Sequence, residues 1–416
     1  MVKRGFFCAL VVMLIVSSSF FAFAGKKKGD DGKIVLNYIL LTAKDMVTEL
    51  SGIKEYNAMQ EKVVINPIHV EFAELDKQIL LSATGGGDSE YDIMMTNHSS
   101  VPQFVSAGLL EPLDDFIKSA GIDLSTYQQA AVKIGNIDGI QYALPYNPDC
   151  RVLVYNKKML ADIGMDVPKT TDDLLKIGAE LVKKDIYAFA GDYNKNWFPI
   201  YDFGCFMLGN GGHIYELHDG KYVATADSQA VIDFVKWSTE MFKYMPHDYS
   251  IKDSMIRELL FQDKVAMMWF GPWEFKFFQK YLDQGKFGLT LMPKGSKKSG
   301  SSMGGWMLSI NSKSAHKKEA KEFLVYVNTP KTMAKMAHAL PADSRSFDYP
   351  PFNDPKYQIF NEQFKTAEYP APPTSVYPLA AEIFNSYYQK AVTGAMSAEE
   401  ACKKASEEIQ HELDNM

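Results

Sequence analysis

The chain has 416 residues, of which 13% are aromatic and 23% are charged, and its formal net charge is −7 at pH 7. This length is enough for two or three domains, and an acidic chain of this kind is a poor candidate for binding nucleic acid. Cys150, Cys205 and Cys402 are widely spaced and can form at most one disulfide, so the fold depends on its core, and we expect these residues to be buried free thiols.

The N-terminus has the pattern of a removable export signal. Lys3 and Arg4 precede an apolar run over residues 5–21, and Ala22-Phe23-Ala24 is a small-x-small cleavage pattern. The run is short for a membrane span. We expect cleavage after Ala24, a hydrophilic linker over residues 25–32, and a soluble periplasmic protein.

Apolar runs alternate with amphipathic stretches along the first hundred residues after the linker. The spacing predicts strands over 34–41, 63–70 and 91–95, and helices over 45–59 and 74–83. Further helices are predicted over 172–184 and 228–241, and from Ser397 to about Leu413. A repeated βα order of this kind predicts an α/β fold.

Two tryptophans flank a Gly-Pro break in the segment 261–275. The apolar run 265–270 predicts a buried strand with Trp269 in the core, and Pro272 cannot continue that strand because it has no N–H. Trp273 just past the break has two interpretations. It either caps the strand in the core or faces a cleft, where its flat ring could stack on a ligand.

Enzyme signatures are mostly absent from the chain. It contains no His-Glu-x-x-His, no Gly-x-Ser-x-Gly, no phosphate-binding loop and no cysteine pairs at metal spacing. His213 and His218 are close in sequence, but a shared metal is not the favoured interpretation. The acidic pairs Asp114-Asp115 and Asp172-Asp173 could be glycosidase carboxylates, but both lie beside expected helix starts, where the helix dipole favours acids. We therefore expect no catalytic residue, no metal and no cofactor.

Several motifs occur in an order that is typical of one family. They are Tyr142-Ala-Leu-Pro-Tyr-Asn, Asp149-Cys-Arg-Val-Leu-Val-Tyr-Asn-Lys, Phe261-Gln-Asp-Lys-Val-Ala-Met, Gly271-Pro-Trp and Gly304-Gly-Trp-Met-Leu-Ser-Ile. In this order, and behind an export signal, they resemble the extracellular solute-binding proteins (family 1) of carbohydrate ABC transporters, the maltose-binding-protein-like class. The resemblance covers nearly all of the mature chain.

The resemblance implies a two-lobed periplasmic-binding-protein-like fold of the class II type. Its lobes are joined by a hinge with several crossings, expected near residues 146–150, 303–307 and 340–343. The N-terminal lobe would then be 33–146 and 307–340, and the C-terminal lobe 150–303 and 343–416. The implied function is capture of a sugar or oligosaccharide between the lobes and its delivery to an ABC transporter permease, with the protein acting as a monomer.

The resemblance also implies which residues contact the ligand. They are the aromatic residues Trp273, Trp306 and Tyr377, and the polar residues Asp149, Arg151 and Asn97, with Trp197 as a further aromatic candidate. Cys150 replaces the hydroxyl residue that is usual between Asp149 and Arg151, so a donor at that position is not expected.

Several of these residues have an alternative structural role. Arg151 could pair with an acid at the hinge, Asn97 could cap the helix that begins near Ser100, and Trp197 could lie in the core of a lobe. Two alternative functions also stay open. A non-sugar solute would be indicated by a cleft dominated by charges, and an exported carbohydrate-active enzyme by two carboxylates about 5–10 Å apart across the cleft.

Overall fold

The computed structural model describes residues 32–42, 46–82, 90–191, 199–247 and 253–416. The predicted export signal at 1–24, most of the linker at 25–32, and Trp197 lie outside the described residues. Within the described ranges, no helix combines the length and the apolar character that a bilayer crossing requires.

In the described part of the chain, the strands form two main sheets and three two-stranded ribbons. In chain order they are β1 Ile34–Leu41, β2 Val63–Val70, β3 Ile93–Asn97, β4 Asn136–Ile137, β5 Ile140–Gln141, β6 Leu144–Asp149, β7 Val152–Asn156, β8 Tyr187–Phe189, β9 Tyr215–His218, β10 Lys221–Ala224, β11 Val265–Phe270, β12 Phe287–Thr290, β13 Ser301–Ser302, β14 Gly304–Ile310 and β15 Ala367–Glu368.

The helices surround both sheets. They are α1 Val47–Met59, α2 Phe72–Ser82, α3 Val101–Ser106, α4 Asp114–Ala120, α5 Gln129–Ile134, α6 Lys157–Asp162, α7 Thr171–Leu181, α8 Pro199–Asp202, α9 Gly204–Gly209, α10 Gln229–Phe242, α11 Asp253–Phe261, α12 Phe275–Asp283, α13 Lys317–Val327, α14 Pro330–Met336, α15 Pro355–Phe364, α16 Tyr377–Val392 and α17 Ala398–Asp414.

The first lobe is built on a five-stranded sheet in the order β2-β1-β3-β14-β6. β1 pairs in parallel with β2 and β3, whereas β14 arrives from the far end of the sequence and is antiparallel to β3 and β6. Its apolar core includes Leu36, Ile93, Leu308 and Phe323, all buried. β3 is buried along its whole length, and its first three residues, Ile93, Met94 and Met95, are apolar without alternation.

The second lobe is built on a four-stranded sheet in the order β12-β7-β11-β8. β7 lies antiparallel to β11 and β12, and β8 lies parallel to β11. Helices α10, α16 and α17 pack together in this lobe. Trp269 of β11 is 3% exposed and contacts Phe189 and Phe203, which confirms its predicted place in the core.

The chain crosses between the sheets in the short link from β6 to β7. β6 belongs to the first sheet and β7 to the second, so Cys150 and Arg151 lie at the crossing. A return crossing precedes β14, because Ser301–Ser302 pair with β15 while Gly304 already pairs with Asp149. The predicted two-lobed α/β fold is confirmed, and the residue bounds predicted for the lobes stay a prediction.

Most predicted elements are present with small shifts at their ends. β1, β2 and β11 have the predicted bounds, and α17 begins behind Ser397, whose hydroxyl accepts from the Glu400 N–H. β3 begins and ends two residues later than predicted, at Ile93 and Asn97. The three described cysteines are buried and free, as expected.

Candidate ligand-binding cleft

A cavity of about 530 Å³ lies between the two lobes. The first lobe contributes side chains from the ends of β1, β3 and β14 and from the beginning of α2, and the second lobe contributes the residues after β11 and at the β6–β7 crossing. The principal lining side chains are Phe72, Asn97, His98, Asp149, Arg151, Tyr201, Trp273, Trp306 and His338.

Trp273 is positioned by the break that ends β11. Pro272 begins a single 3-10 turn, Pro272–Glu274, that diverts the chain out of the sheet. The Trp273 ring then lies against Gly271, where a Cβ atom would be only 2.2 Å from a ring carbon. The ring is partly buried and lines the cavity. Any larger residue at 271 would displace this tryptophan.

Trp306 enters the same cavity from the first lobe. It lies on β14 opposite Asn97 of β3, and the ladder to β6 shifts register directly after it. Its ring meets Phe72 edge to face, with ring centroids 5.8 Å apart. Gly305 just before it has φ of 115°, a conformation that L side chains rarely adopt. The two tryptophans therefore line one cavity from different lobes.

Arg151 is held between two carboxylates at the back of the cavity. One of its terminal nitrogens bonds to Asp149, and its Nε is 3.2 Å from the Oδ1 of Asp202. Burial opposes the charged form of Arg151, but the negative charges of Asp149 and Asp202 outweigh this effect. The pKa of Arg151 is therefore raised above its ordinary value. Burial also raises the pKa of Asp149, with the Arg151 charge acting in the opposite direction. The predicted pairing of Arg151 with an acid is confirmed, and its contact with ligand stays a prediction.

His98 joins the two lobes across the cavity. It directly follows β3 and is 5% exposed, with its Nδ1 2.9 Å from the Gly305 carbonyl and its Nε2 2.7 Å from the Tyr201 hydroxyl. Burial lowers the pKa of His98 to about 4, so the ring is neutral. Because a carbonyl only accepts, Nδ1 carries the proton and Nε2 accepts from Tyr201.

Asn97 caps a short turn and also lines the cavity. Its Oδ1 accepts from the backbone N–H of Ser99 at 3.0 Å and from the Ser99 hydroxyl at 2.7 Å. The structure thus assigns it the capping role that the sequence left open, in the 3-10 helix His98–Ser100. Its amide group faces the cavity between the tryptophan of β14 and His98. Capping does not consume its nitrogen, so a ligand contact stays a prediction.

A smaller cavity of about 280 Å³ adjoins the first and shares Phe72, Asn97 and Trp306 with it. Tyr377 lines this smaller cavity at the beginning of α16, but its side chain is 1% exposed. Its ring packs against Tyr369 at a centroid distance of 4.8 Å. Tyr377 is thus separated from the larger cavity that the tryptophans line, and its stacking role stays a prediction.

Sequence reasoning missed several of the principal lining side chains, among them Phe72, His98, Tyr201 and His338. Phe72 begins α2 shortly after β2 and is 52% exposed, and an exposed aromatic residue next to a strand end is itself a signal of a binding surface. His98 and Tyr201 have no local motif, because they are 103 positions apart and meet only when the lobes come together.

The described residues offer little to an enzyme or to a metal ion. Asp149 is the one carboxylate among the described side chains that line the larger cavity. His213 and His218 both contact the Glu216 carboxylate, at 3.1 and 3.0 Å, so a shared carboxylate accounts for their closeness in sequence. Within the described ranges, no three His, Cys, Asp or Glu residues are arranged to hold a metal ion.

Comparisons with known proteins agree with this geometry. The diacetylchitobiose binding protein DasA of Streptomyces coelicolor is 33% identical over 138 residues, which are 32% of this chain and 30% of DasA. The maltotriose-binding protein of Pyrococcus abyssi is 26% identical over 225 residues, which are 53% of this chain and 45% of that protein. The matched part thus spans less than half of either relative.

Solved structures match over far more of the chain. The MalE sugar-binding protein of Xanthomonas citri has a TM-score of 0.80 at 18% identity, over 92% of this chain and 98% of that one. A solute-binding protein of Thermotoga lettingae, bound with α-D-tagatose, has a TM-score of 0.76 at 25% identity, over 91% and 99%. At such identities the likeness establishes chiefly the fold.

One family model decides the assignment. The model described as bacterial extracellular solute-binding protein matches residues 43–334, which is more than half of the chain. The matched range contains both tryptophans of the cavity and the Asp149–Arg151 pair. The chain therefore belongs to the bacterial extracellular solute-binding protein family.

Proposed function

We propose that this protein captures a sugar or oligosaccharide between its lobes and delivers it to the membrane permease of an ABC transporter. One observation carries the proposal: Trp273 and Trp306 line a single cavity from opposite lobes, beside the polar groups of Asn97 and Asp149. Aromatic rings cover the flat C–H faces of sugars, and carboxylate and amide groups bond their hydroxyls.

The same geometry suggests how binding would be signalled. A ligand between Trp273 and Trp306 contacts both lobes only when they are closed, so binding shifts the equilibrium towards the closed form by that difference in affinity. The permease would then recognise the closed form. No covalent chemistry is needed, and we propose that the protein is not an enzyme and that it acts as a monomer without cofactor.

The printed names of the relatives support a carbohydrate ligand. The partly matching relatives include binding proteins for diacetylchitobiose and for maltotriose, and the similar structures include one bound with tagatose. The family's description as extracellular and the N-terminal pattern of residues 1–24 support export, and we propose cleavage after Ala24 and a periplasmic location on that pattern.

A thermal-shift screen of the mature protein tests the proposal. The panel would contain neutral mono- and disaccharides, with maltose, cellobiose and N,N′-diacetylchitobiose among them, and amino acids as non-sugar solutes. A bound sugar should raise the apparent melting temperature by mass action, about 2.7 kcal/mol of stabilisation at a hundredfold excess over Kd. Stabilisation by amino acids and by no sugar would contradict a carbohydrate ligand.

A further inference from the structure

Few charged groups line the two cavities. Among the described residues they are Asp149, Arg151 and Lys276 in the larger cavity and Asp76 in the smaller one. Lys276 is exposed at the rim, and its Nζ lies 5.2 Å from the centroid of the Phe277 ring. Arg151 is thus the buried cation among the described lining residues, and the charge balance around its guanidinium determines how the inner part of the cleft receives an anion.

The guanidinium of Arg151 bonds to carboxylates at its edges and lies near aromatic rings. Asp149 and Asp202 bond its terminal nitrogen and its Nε, and its side chain is only 5% exposed. Its central carbon lies 5.0 Å from the centroid of the Trp273 ring and 5.6 Å from that of Tyr201. Arg151, Asp149 and Asp202 together carry one positive and two negative charges, so this cluster has one excess negative charge.

The backbone of Arg151 is also fixed. The Ser301 hydroxyl accepts from the Arg151 N–H at 2.8 Å and donates to the Arg151 carbonyl at 2.8 Å. The side chain cannot turn toward a ligand without abandoning Asp202, whose carboxylate is buried. An uncompensated buried charge costs several kcal/mol, so this rearrangement is disfavoured.

We infer that the cleft selects uncharged sugars over sugar acids, and that Arg151 is a positioning residue, which holds the Asp149 carboxylate and the Trp273 ring in the cleft wall. The inference rests on the proposed function and names the substrate class of the same site. A ligand carboxylate in the larger cavity meets Asp149 and an arginine whose charge is already neutralised. Like charges brought together in a partly buried site repel each other more strongly than in water.

The smaller cavity offers no compensating cation among its described residues. Asp76 is the ionisable side chain there, and its Oδ2 accepts from the Ser100 hydroxyl. Burial raises the pKa of Asp76, and in neither protonation state does a carboxyl group supply a positive charge. His98 adds no positive charge near neutral pH, because burial keeps it unprotonated. Besides the exposed Lys276 and the imidazole of His338, whose Nδ1 lies 3.9 Å from the Glu49 carboxylate, the cation among the described lining residues of the two cavities is Arg151, which is already paired with carboxylates.

The test compares matched neutral and acidic sugars on the mature protein by isothermal titration calorimetry and thermal shift. Suitable pairs are galactose with galacturonic acid, glucose with glucuronic acid, and the neutral sugar that binds most tightly in the screen with its uronic-acid form. We expect the neutral member of a bound pair to bind at least about tenfold more tightly than its acidic partner, at constant pH and ionic strength.

The variant Asp202→Asn tests whether the charge around Arg151, rather than the shape of the cavity, causes the selectivity. Asn keeps an oxygen for the Arg151 Nε and removes one negative charge behind the guanidinium, without touching the cavity lining. The acidic sugar should gain about tenfold in affinity, while the neutral sugar changes by less than about threefold. Asp233→Asn removes the same charge at an exposed position of α10 and should change neither affinity.

The possible outcomes test the selectivity, its cause and the proposed function separately. Equal binding of the acidic and neutral members by the unaltered protein overturns the selectivity inference and leaves the proposed function in place. Selectivity that persists unchanged in a folded Asp202→Asn variant shows that this group does not cause it. Failure of every sugar to bind contradicts the proposed function, and the inference that rests on it is withdrawn as well.

Discussion

Trp273 depends on two neighbours for its place in the cleft wall. Gly271 leaves room for the ring, and the Arg151 guanidinium lies against it. Replacing Trp273 with Ala should weaken sugar binding by about 1–3 kcal/mol, the range that aromatic stacking with nucleic-acid bases contributes. Calorimetry with the best ligand of the screen measures this loss.

Phe277→Ala provides the matched control for that variant. Phe277 is an aromatic residue of α12, four positions further along, with 42% of its surface exposed, and it lies outside both cavity linings. Its removal should leave sugar affinity unchanged. If Trp273→Ala also binds normally while it folds normally, the stacking role of Trp273 is wrong.

Glu49 is a buried acid whose ionisation the fold opposes. It is fully buried in the first lobe, and the Tyr38 hydroxyl lies 2.5 Å from its Oε1. Burial raises the pKa of Glu49 from 4.5 to about 8, while the bonds to Tyr38 and Tyr146 act in the opposite direction. Near neutral pH, Glu49 therefore holds a proton in the folded protein that it releases on unfolding.

The sign of the pH dependence follows from that difference in protons. Between about pH 4.5 and pH 8 the folded state binds more protons, so the contribution of Glu49 to stability decreases as the pH rises, by up to about 1.4 kcal/mol per pH unit. Urea unfolding at pH 5 and pH 8 should show that Glu49→Gln loses less stability over this interval than the unaltered protein. Glu55→Gln, an exposed change on the same helix, should keep the original slope.

At the scale of elements, the bounds of a strand can be predicted when the residues within it and directly after it define both of its ends. β1 and β2 pair with each other and have the predicted bounds, because each is composed mainly of β-branched and other apolar residues and is followed by a polar residue, Thr42 or Glu71. β3 extends through Thr96 to Asn97, which are polar, because β14 supplies hydrogen-bond partners there from about 200 positions later. Such an extension has no signal in the neighbouring sequence.

The candidate site likewise contains residues that local motifs identify and residues that only distant contacts bring into place. Trp273, Trp306, Asp149 and Arg151 stand in motifs whose order could be recognised, and all of them line the larger cavity. The contact between His98 and the second lobe depends on how two distant segments meet, which neither periodicity nor composition encodes. The order of motifs thus gives candidates, and only the fold shows which of them share a cavity.

Gly305 is the point where β14 bends into the cleft. Its φ is 115°, and a Cβ atom there would lie 2.2 Å from the Asn147 carbonyl oxygen. Gly305→Ala should therefore destabilise the protein by at least about 2 kcal/mol through strain and displacement of β6. Chemical denaturation measures the loss. Gly108→Ala is the control, because its φ is 67° and nothing lies within 4 Å, so only the conformational cost of about 1 kcal/mol applies.

At the scale of the whole molecule, the hydrogen bond between His98 and Tyr201 connects the two lobes without a ligand. Opening the cleft separates these residues and exposes both groups to water, so the bond contributes to closure. Tyr201→Phe leaves the Nε2 of His98 buried without its donor when the lobes close, which costs about 1–3 kcal/mol. The variant should bind sugar about tenfold more weakly, since 1.4 kcal/mol is a tenfold change.

Small-angle X-ray scattering distinguishes a closure defect from a packing defect. Ligand-free Tyr201→Phe should have a larger radius of gyration than the unaltered protein, and saturating sugar should reduce that difference. Tyr127→Phe also removes a buried tyrosine hydrogen bond, to Asn328 at 2.9 Å, but within the first lobe. It should lower the melting temperature without changing the radius. An equal radius for all three proteins would mean that the bond between His98 and Tyr201 does not control closure.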